Sequence, residues 1–325
     1  MKLKLMMNVN VLASIPFRIV SVLYLGTLLV SCEAAFACIW VSGTSLEGKP
    51  TVIGKRNPVS ALRRVLESGG LRARGIALEK RIGRAGGFAE RRDLAVAKIL
   101  QGRYQSAVDQ LLTLEEERPG DYAVAANLGT ALELLGNNVE ALTWIEEGIG
   151  RNPTAHHGTE WLHVAILRAK IELEKDVGFL ETRSLLNLDL DSMTSRETPI
   201  FVAGADRELA EIGKALDFQL RERLQFVKTN DPIVASLLFD YSIVVAASHT
   251  VEAALELLDL GEQFGLSGDR SRLLRGRYER LVWFGRWRRW ATYSALFAGV
   301  VIALWVALRK GWLVVRREST PESAS

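Results

Sequence analysis

The stretch NLGTALELLGNNVEAL, residues 127–142, decides the fold. Leu128, Ala131 and Leu132 fall at helical spacing, Gly136 breaks the pattern, and it resumes through Ala141. Laying residues 88–121 over 122–155 shows why. At a spacing of 34 residues Leu94 meets Leu128, Ala95 meets Gly129, Ala97 meets Ala131, Gly102 meets Gly136, Ala107 meets Ala141 and Pro119 meets Pro153. Each coincidence has a physical reading. Ala95/Gly129 and Ala107/Ala141 are small where two helices of one unit approach closely. Gly102 and Gly136 end the first helix of each unit, where left-handed backbone is cheap only without a Cβ. Pro119 and Pro153 stop the second helix. Leu111, Leu128, Leu132 and Ile145 then form an apolar stripe that one unit cannot cover, so neighbouring units must stack.

In DLAVAKILQGRYQSAVDQLLTLEEERP (residues 93–119) the Leu-small-x-Ala, Gly-x-Tyr, Ala and Pro positions are all filled, and the chain resembles the tetratricopeptide repeat family. The second copy departs by placing Asn138 where the tyrosine stands. The resemblance implies an all-α stack of helical hairpins over 88–175, made of repeats 88–121 and 122–155 and a third-layer helix. It also implies a concave groove for protein or peptide partners, lined by Arg92, Val96 and Ile99, then Asn127, Thr130 and Glu133, then His157, Glu160 and Val164. A narrower resemblance rests on CIW (38–40), HHGTEWLHVAILRAKIEL (156–173) and SLLNLDL (184–190), which look like a group of exported bacterial repeat proteins without an established activity.

Outward from the repeats the period fades. Residues 38–87 read as a partly helical extension and 176–200 as an irregular connection. Leu209, Ile212, Leu216, Leu220 and Leu224 mark a long amphipathic helix within a helical region at 201–285, and 235–268 reads as a degenerate repeat with Ala254 at the small position and His249 replacing the turn glycine.

Both ends carry membrane signals. Lys2, Lys4 and Arg18 precede an apolar run, Ile19–Val30, so residues 1–37 read as an export signal. AFA (35–37) offers cleavage before Cys38; LVSC (29–32) offers a lipobox ending at Cys32. At the other end Ala291–Leu308 is eighteen residues without a charge, between RWRRW (286–290) and Arg309-Lys310. We expect a single transmembrane helix over 286–310 with a tail at 311–325. Orientation is contested. Eight arginines lie between Arg270 and Arg289, against four basic residues after the span, which favours a cytoplasmic domain, whereas the export signal favours the periplasmic side. Because large domains translocate largely regardless of charge, the exported reading is preferred and a cytoplasmic membrane adaptor is the alternative.

A formal charge of +3 does not argue for nucleic acid, and the aromatic-rich arginine run beside the span reads as a lipid-facing collar. Two cysteines cannot make a disulfide framework. The sequence holds no glycine-rich phosphate loop and no nucleophile elbow, so no enzyme and no cofactor is expected. The one chemical alternative is a metal-binding module or metal-dependent enzyme using His156, Glu160 and His163, whose i, i+4, i+7 spacing would place them on one helical face.

Overall fold

The computed structural model describes residues 41–53, 57–83, 86–188 and 207–312. The export signal with its lipobox and cleavage site, the later part of the 176–200 connection and most of the tail lie outside the described residues. Among the described residues the protein is helical apart from one small hairpin. That hairpin, β1 (Val41–Thr44) paired antiparallel with β2 (Pro50–Ile53), falls in the extension read as partly helical.

The extension continues into α1 (Pro58–Glu67) and α2 (Leu71–Ile82). Asn57 starts α1 by accepting the Val59 amide at 3.0 Å, with Pro58 in the first turn, where its missing N–H costs nothing. Next come α3 (Phe88–Leu100), α4 (Tyr104–Glu117), α5 (Tyr122–Leu135) and α6 (Asn138–Arg151). A 3₁₀ turn, Ala155–Gly158, leads into α7 (Glu160–Lys175). From α2 to α7 each helix packs on the next, and α3 also touches α5. Their core is tight because the facing residues are small: Ala95, Ala107, Ala131 and Ala141 are fully buried beside Leu111, Leu128 and Ile145. A Cβ on Gly129 would lie 2.6 Å from the Ile145 side chain, which no packing tolerates. Gly136 adopts φ 88° and closes α5 by donating to the Glu133 carbonyl, while Asn137 donates to Leu132.

The second body holds α8 (Leu209–Phe226), α9 (Pro232–Ser248), α10 (Val251–Gln263) and the start of α11 (Asp269–Arg309). Its centre is α9, buried from Ile233 to Ala246 on every side and packed against α7, α8 and α10. Helix α7 joins the bodies. Val164 and Leu167 belong to the first core, and Leu162, Ile166 and Ala169 belong to the second.

The expected span is the end of a longer element. Helix α11 runs 41 residues, about 60 Å, without a break. Its first half buries Ser271, Leu274, Tyr278, Val282 and Gly285, and Gly285 sits so close to Thr44 that a Cβ would be 2.5 Å from its hydroxyl. Beyond that contact the side chains emerge from the protein. An eighteen-residue window has mean hydropathy 2.0 and none of it is buried, so one helix is long and apolar enough to cross a membrane.

Candidate functional site

Glu133 is the only charged residue in α5, and it is buried. A lone ionised carboxylate there would be prohibitively costly, so its partners define the site. Three groups converge from α7 and α8. His163 Nε2 lies 2.7 Å from Glu133 Oε2, Lys170 Nζ lies 2.7 Å from Oε1, and Arg223 brings Nη1 to 2.5 Å of the same oxygen. On the other side His163 Nδ1 lies 3.2 Å from Glu160 Oε2, and Glu160 in turn holds His156 Nδ1. Ionised carboxylates only accept, so an imidazole with one at each nitrogen carries both protons.

The titration of the cluster follows from this. Burial pushes the Glu133 carboxyl up, but Arg223, His163 and Lys170 outweigh it and hold the group well below the carboxylate range. For Glu160 burial is again opposed, here by hydrogen bonds from His156 and His163, and the result falls to about 2. Burial pulls His163 down while Glu133 and Glu160 raise it, and the carboxylates win. Glu160 also raises His156. A cavity of about 120 Å³ opens beside the cluster, walled by Thr130, His156, Lys170, Phe218, Gln219 and Glu222.

The groove expectation changes in every layer, most of all in the third. Glu133, Glu160, Val164 and Ile99 are buried and do not face solvent. Glu133 and Glu160 belong to the ionic cluster, while Ile99 and Val164 belong to the first core. The reason is α8, whose polar side fills the space over α5 and α7: Arg223 meets Glu133, and Phe218 lies against the rings of His156 (5.3 Å) and His157 (6.3 Å). Exposed His157 is thus part of the contact with α8. Arg92, Val96, Asn127 and Thr130 remain half-buried on α3 and α5, with Arg92 3.5 Å from Asp121.

The helical-face argument for His156, Glu160 and His163 needs correction. His156 and His157 sit in the 3₁₀ turn with φ of 47° and 63°, and α7 begins only at Glu160. The three side chains do meet, but as hydrogen-bonded ion pairs in which no ring nitrogen of His163 keeps a lone pair for a metal. Among the described residues no group of three or more His, Cys, Asp or Glu is arranged to hold a metal ion.

Sequence reasoning missed Arg223, Lys170, Phe218 and Glu222. One signal was available: a single charge, Glu133, in an otherwise uncharged helix. Its partner Arg223 is 90 residues away, a separation that local pattern cannot bridge. A larger cleft of about 650 Å³ lies between residues 177–184 and 265–271, where Arg183 covers Phe179 (4.8 Å) and Arg270 covers Phe239 (5.4 Å). No protein-family model matches the sequence, and comparison with curated proteins finds no match.

Proposed function

We propose that the protein is a membrane-tethered scaffold of the tetratricopeptide repeat type, which holds a peptide or protein partner on the open part of its α3–α5 face. The observation that carries this reading is the pair of stacked hairpins, α3–α4 and α5–α6, whose small, glycine and proline positions recur at a spacing of 34 residues. Such stacks use the surface of their first helices for binding. Arg92, Val96, Asn127 and Thr130 stand on that surface and are not consumed by either core. The contact face ends at α8, so the partner lies over the first two units and not the third.

Helix α11 supplies the tether in this reading, and the export signal expected from residues 1–37 favours the periplasmic side of a bacterial envelope for the folded domain. The eight arginines ahead of the span favour the second reading, a cytoplasmic adaptor docked on the membrane. Two experiments separate these readings. A photo-crosslinking residue at Asn127, in full-length protein in its own membrane, is expected to capture one discrete partner that Arg92→Ala weakens. The same residue at Glu140 should capture none, and equal capture at both sites would remove the groove reading. A reporter active only outside the cytoplasm, inserted at Gly268, gives signal if the domain is exported; silence there leaves the adaptor.

A further inference from the structure

The arginines of α11 divide into two sets. Arg270, Arg272 and Arg275, far from the apolar stretch, are engaged within the protein: Arg270 donates to the Thr182 carbonyl at 3.3 Å, Arg272 pairs with Asp269, and Arg275 lies 2.8 Å from both Asp259 and Glu262. Arg289 is spent on the hairpin, donating to the Gly43 carbonyl at 3.1 Å. Arg286 and Arg288 are different. Both are exposed, and neither side chain has a hydrogen bond or ion pair among the described residues. Around them Trp283, Trp287 and Trp290 are 60%, 59% and 71% exposed, an unusual concentration of bare indole for a folded protein. The far end of the span contrasts with this: Arg309 lies 4.6 Å over Trp305 and Lys310 5.2 Å over Trp312, each cation covered by an aromatic face.

Position gives these unpaired cations a natural counterion. Along a continuous helix Arg288 lies about 5 Å and Arg286 about 8 Å before Ala291, within the roughly 5–8 Å depth of a headgroup layer. The helix cannot hinge away, because Gly285 is wedged against Thr44 and Arg289 holds the hairpin. We propose that Arg286 and Arg288, framed by Trp283, Trp287 and Trp290, form a binding surface for anionic phospholipid headgroups in the leaflet next to the folded domain. The guanidinium groups meet lipid phosphates, and the indoles sit at the boundary between headgroup and hydrocarbon. This rests on the reading that α11 crosses the membrane, and it adds a lipid partner to the proteinaceous one. Arg280, also exposed and without a side-chain partner among the described residues, lies about 16 Å from Ala291 and outside the layer.

The test is native mass spectrometry of the full-length protein in mild detergent, titrated with phosphatidylglycerol or phosphatidylcholine. Wild type is expected to prefer the anionic lipid, and R286Q/R288Q to lose roughly 25-fold of that affinity, since each surface arginine contributes about fivefold. R309Q/K310Q, at the other end, should keep the preference. Both substituted pairs are exposed, so folding is not at stake, and an unchanged circular dichroism spectrum checks it. Equal binding of the two lipids by wild type, or an undiminished preference in R286Q/R288Q, overturns the proposal. So does a single-stranded RNA oligonucleotide that displaces the lipid through the same two arginines. Release of wild type from membranes by alkaline carbonate would overturn the single-pass reading along with it, whereas retained protein with no lipid preference overturns this proposal alone.

Discussion

Glu133 in α5 and Asp240 in α9 are both buried carboxylates, yet they titrate in opposite directions. Glu133 faces three cations, and burial is outweighed. Asp240 receives the Leu186 amide at 2.9 Å and the Leu188 amide, with no cation in direct contact among the described residues, and burial pushes it up to about 6. Peptide dipoles orient a carboxylate without replacing the solvation it lost, whereas full charges nearly do. The two sites also join different things. Glu133 ties the hairpin stack to α8, and Asp240 ties the irregular segment Ser184–Leu188 to α9, helped by Ser236, whose hydroxyl accepts the Leu185 amide.

The sharpest way to break the comparison is to remove each acid. Glu133→Ala strands Arg223, His163 and Lys170 without their counter-charge, and a broken buried pair costs about 3–5 kcal/mol. Denaturant unfolding of full-length protein in detergent should show that loss. A cost below about 1 kcal/mol would mean that water reaches the cluster and that burial does not govern it.

Asp240 gives the opposite pH response. Its carboxyl is raised in the folded state, so the native protein holds the proton more tightly than the unfolded chain. Stability therefore falls as pH rises from about 4 to about 6, by on the order of 3 kcal/mol. Glu133 and Glu160 are lowered, so their contribution is complete above the ordinary carboxylate range and is lost only as pH falls through their depressed values. His163 is raised, so its share is full below about 6.5 and disappears as pH climbs through its elevated value. A denaturation series from pH 4 to 7, comparing wild type with Asp240→Asn, isolates the first effect. Parallel curves would show that Asp240 is solvated.

Next in size is packing inside the hairpin stack. Gly129→Ala drives a methyl against Ile145 and toward the Ala141 carbonyl, 3.2 Å away, and overpacking of this kind costs about 1–3 kcal/mol. Thermal unfolding measures it, and the pH profile should not change. That independence is the point, because this region is held by shape where the other two are held by charge.

The same division explains what could be read from the sequence. The small residues of α3 to α6 repeat because close helix approach imposes one size at one spacing, so Ala95, Gly129 and Ala141 are visible in a single chain. Helix α9 leaves a fainter trace: it is buried on every side, and a helix without an exposed polar face has little period to find. The hairpin at Val41–Ile53 escaped because its four-residue strands are too short to establish alternation. The cluster at Glu133 was legible only in part. Glu160 and the histidines could be grouped by proximity in sequence, but the left-handed turn at His156 broke the expected face, and the other cations arrive by tertiary packing, Lys170 from further along α7 and Arg223 from α8.

The smallest expected effect isolates environment from distance. Arg168 and Glu146 form an ion pair at 2.7 Å, the same separation as His163 and Glu133, but their side chains are 65% and 47% exposed. In water the attraction is screened and two long side chains must be ordered to make it, so Arg168→Ala should change stability by no more than about 0.5 kcal/mol. Raising the salt concentration should erase even that difference while leaving the Glu133→Ala deficit nearly intact, since bulk ions do not reach a buried cluster. A large effect at Arg168 would show that contact distance alone sets these energies, and the contrast between Glu133 and Asp240 would then need another cause than the solvent each has lost.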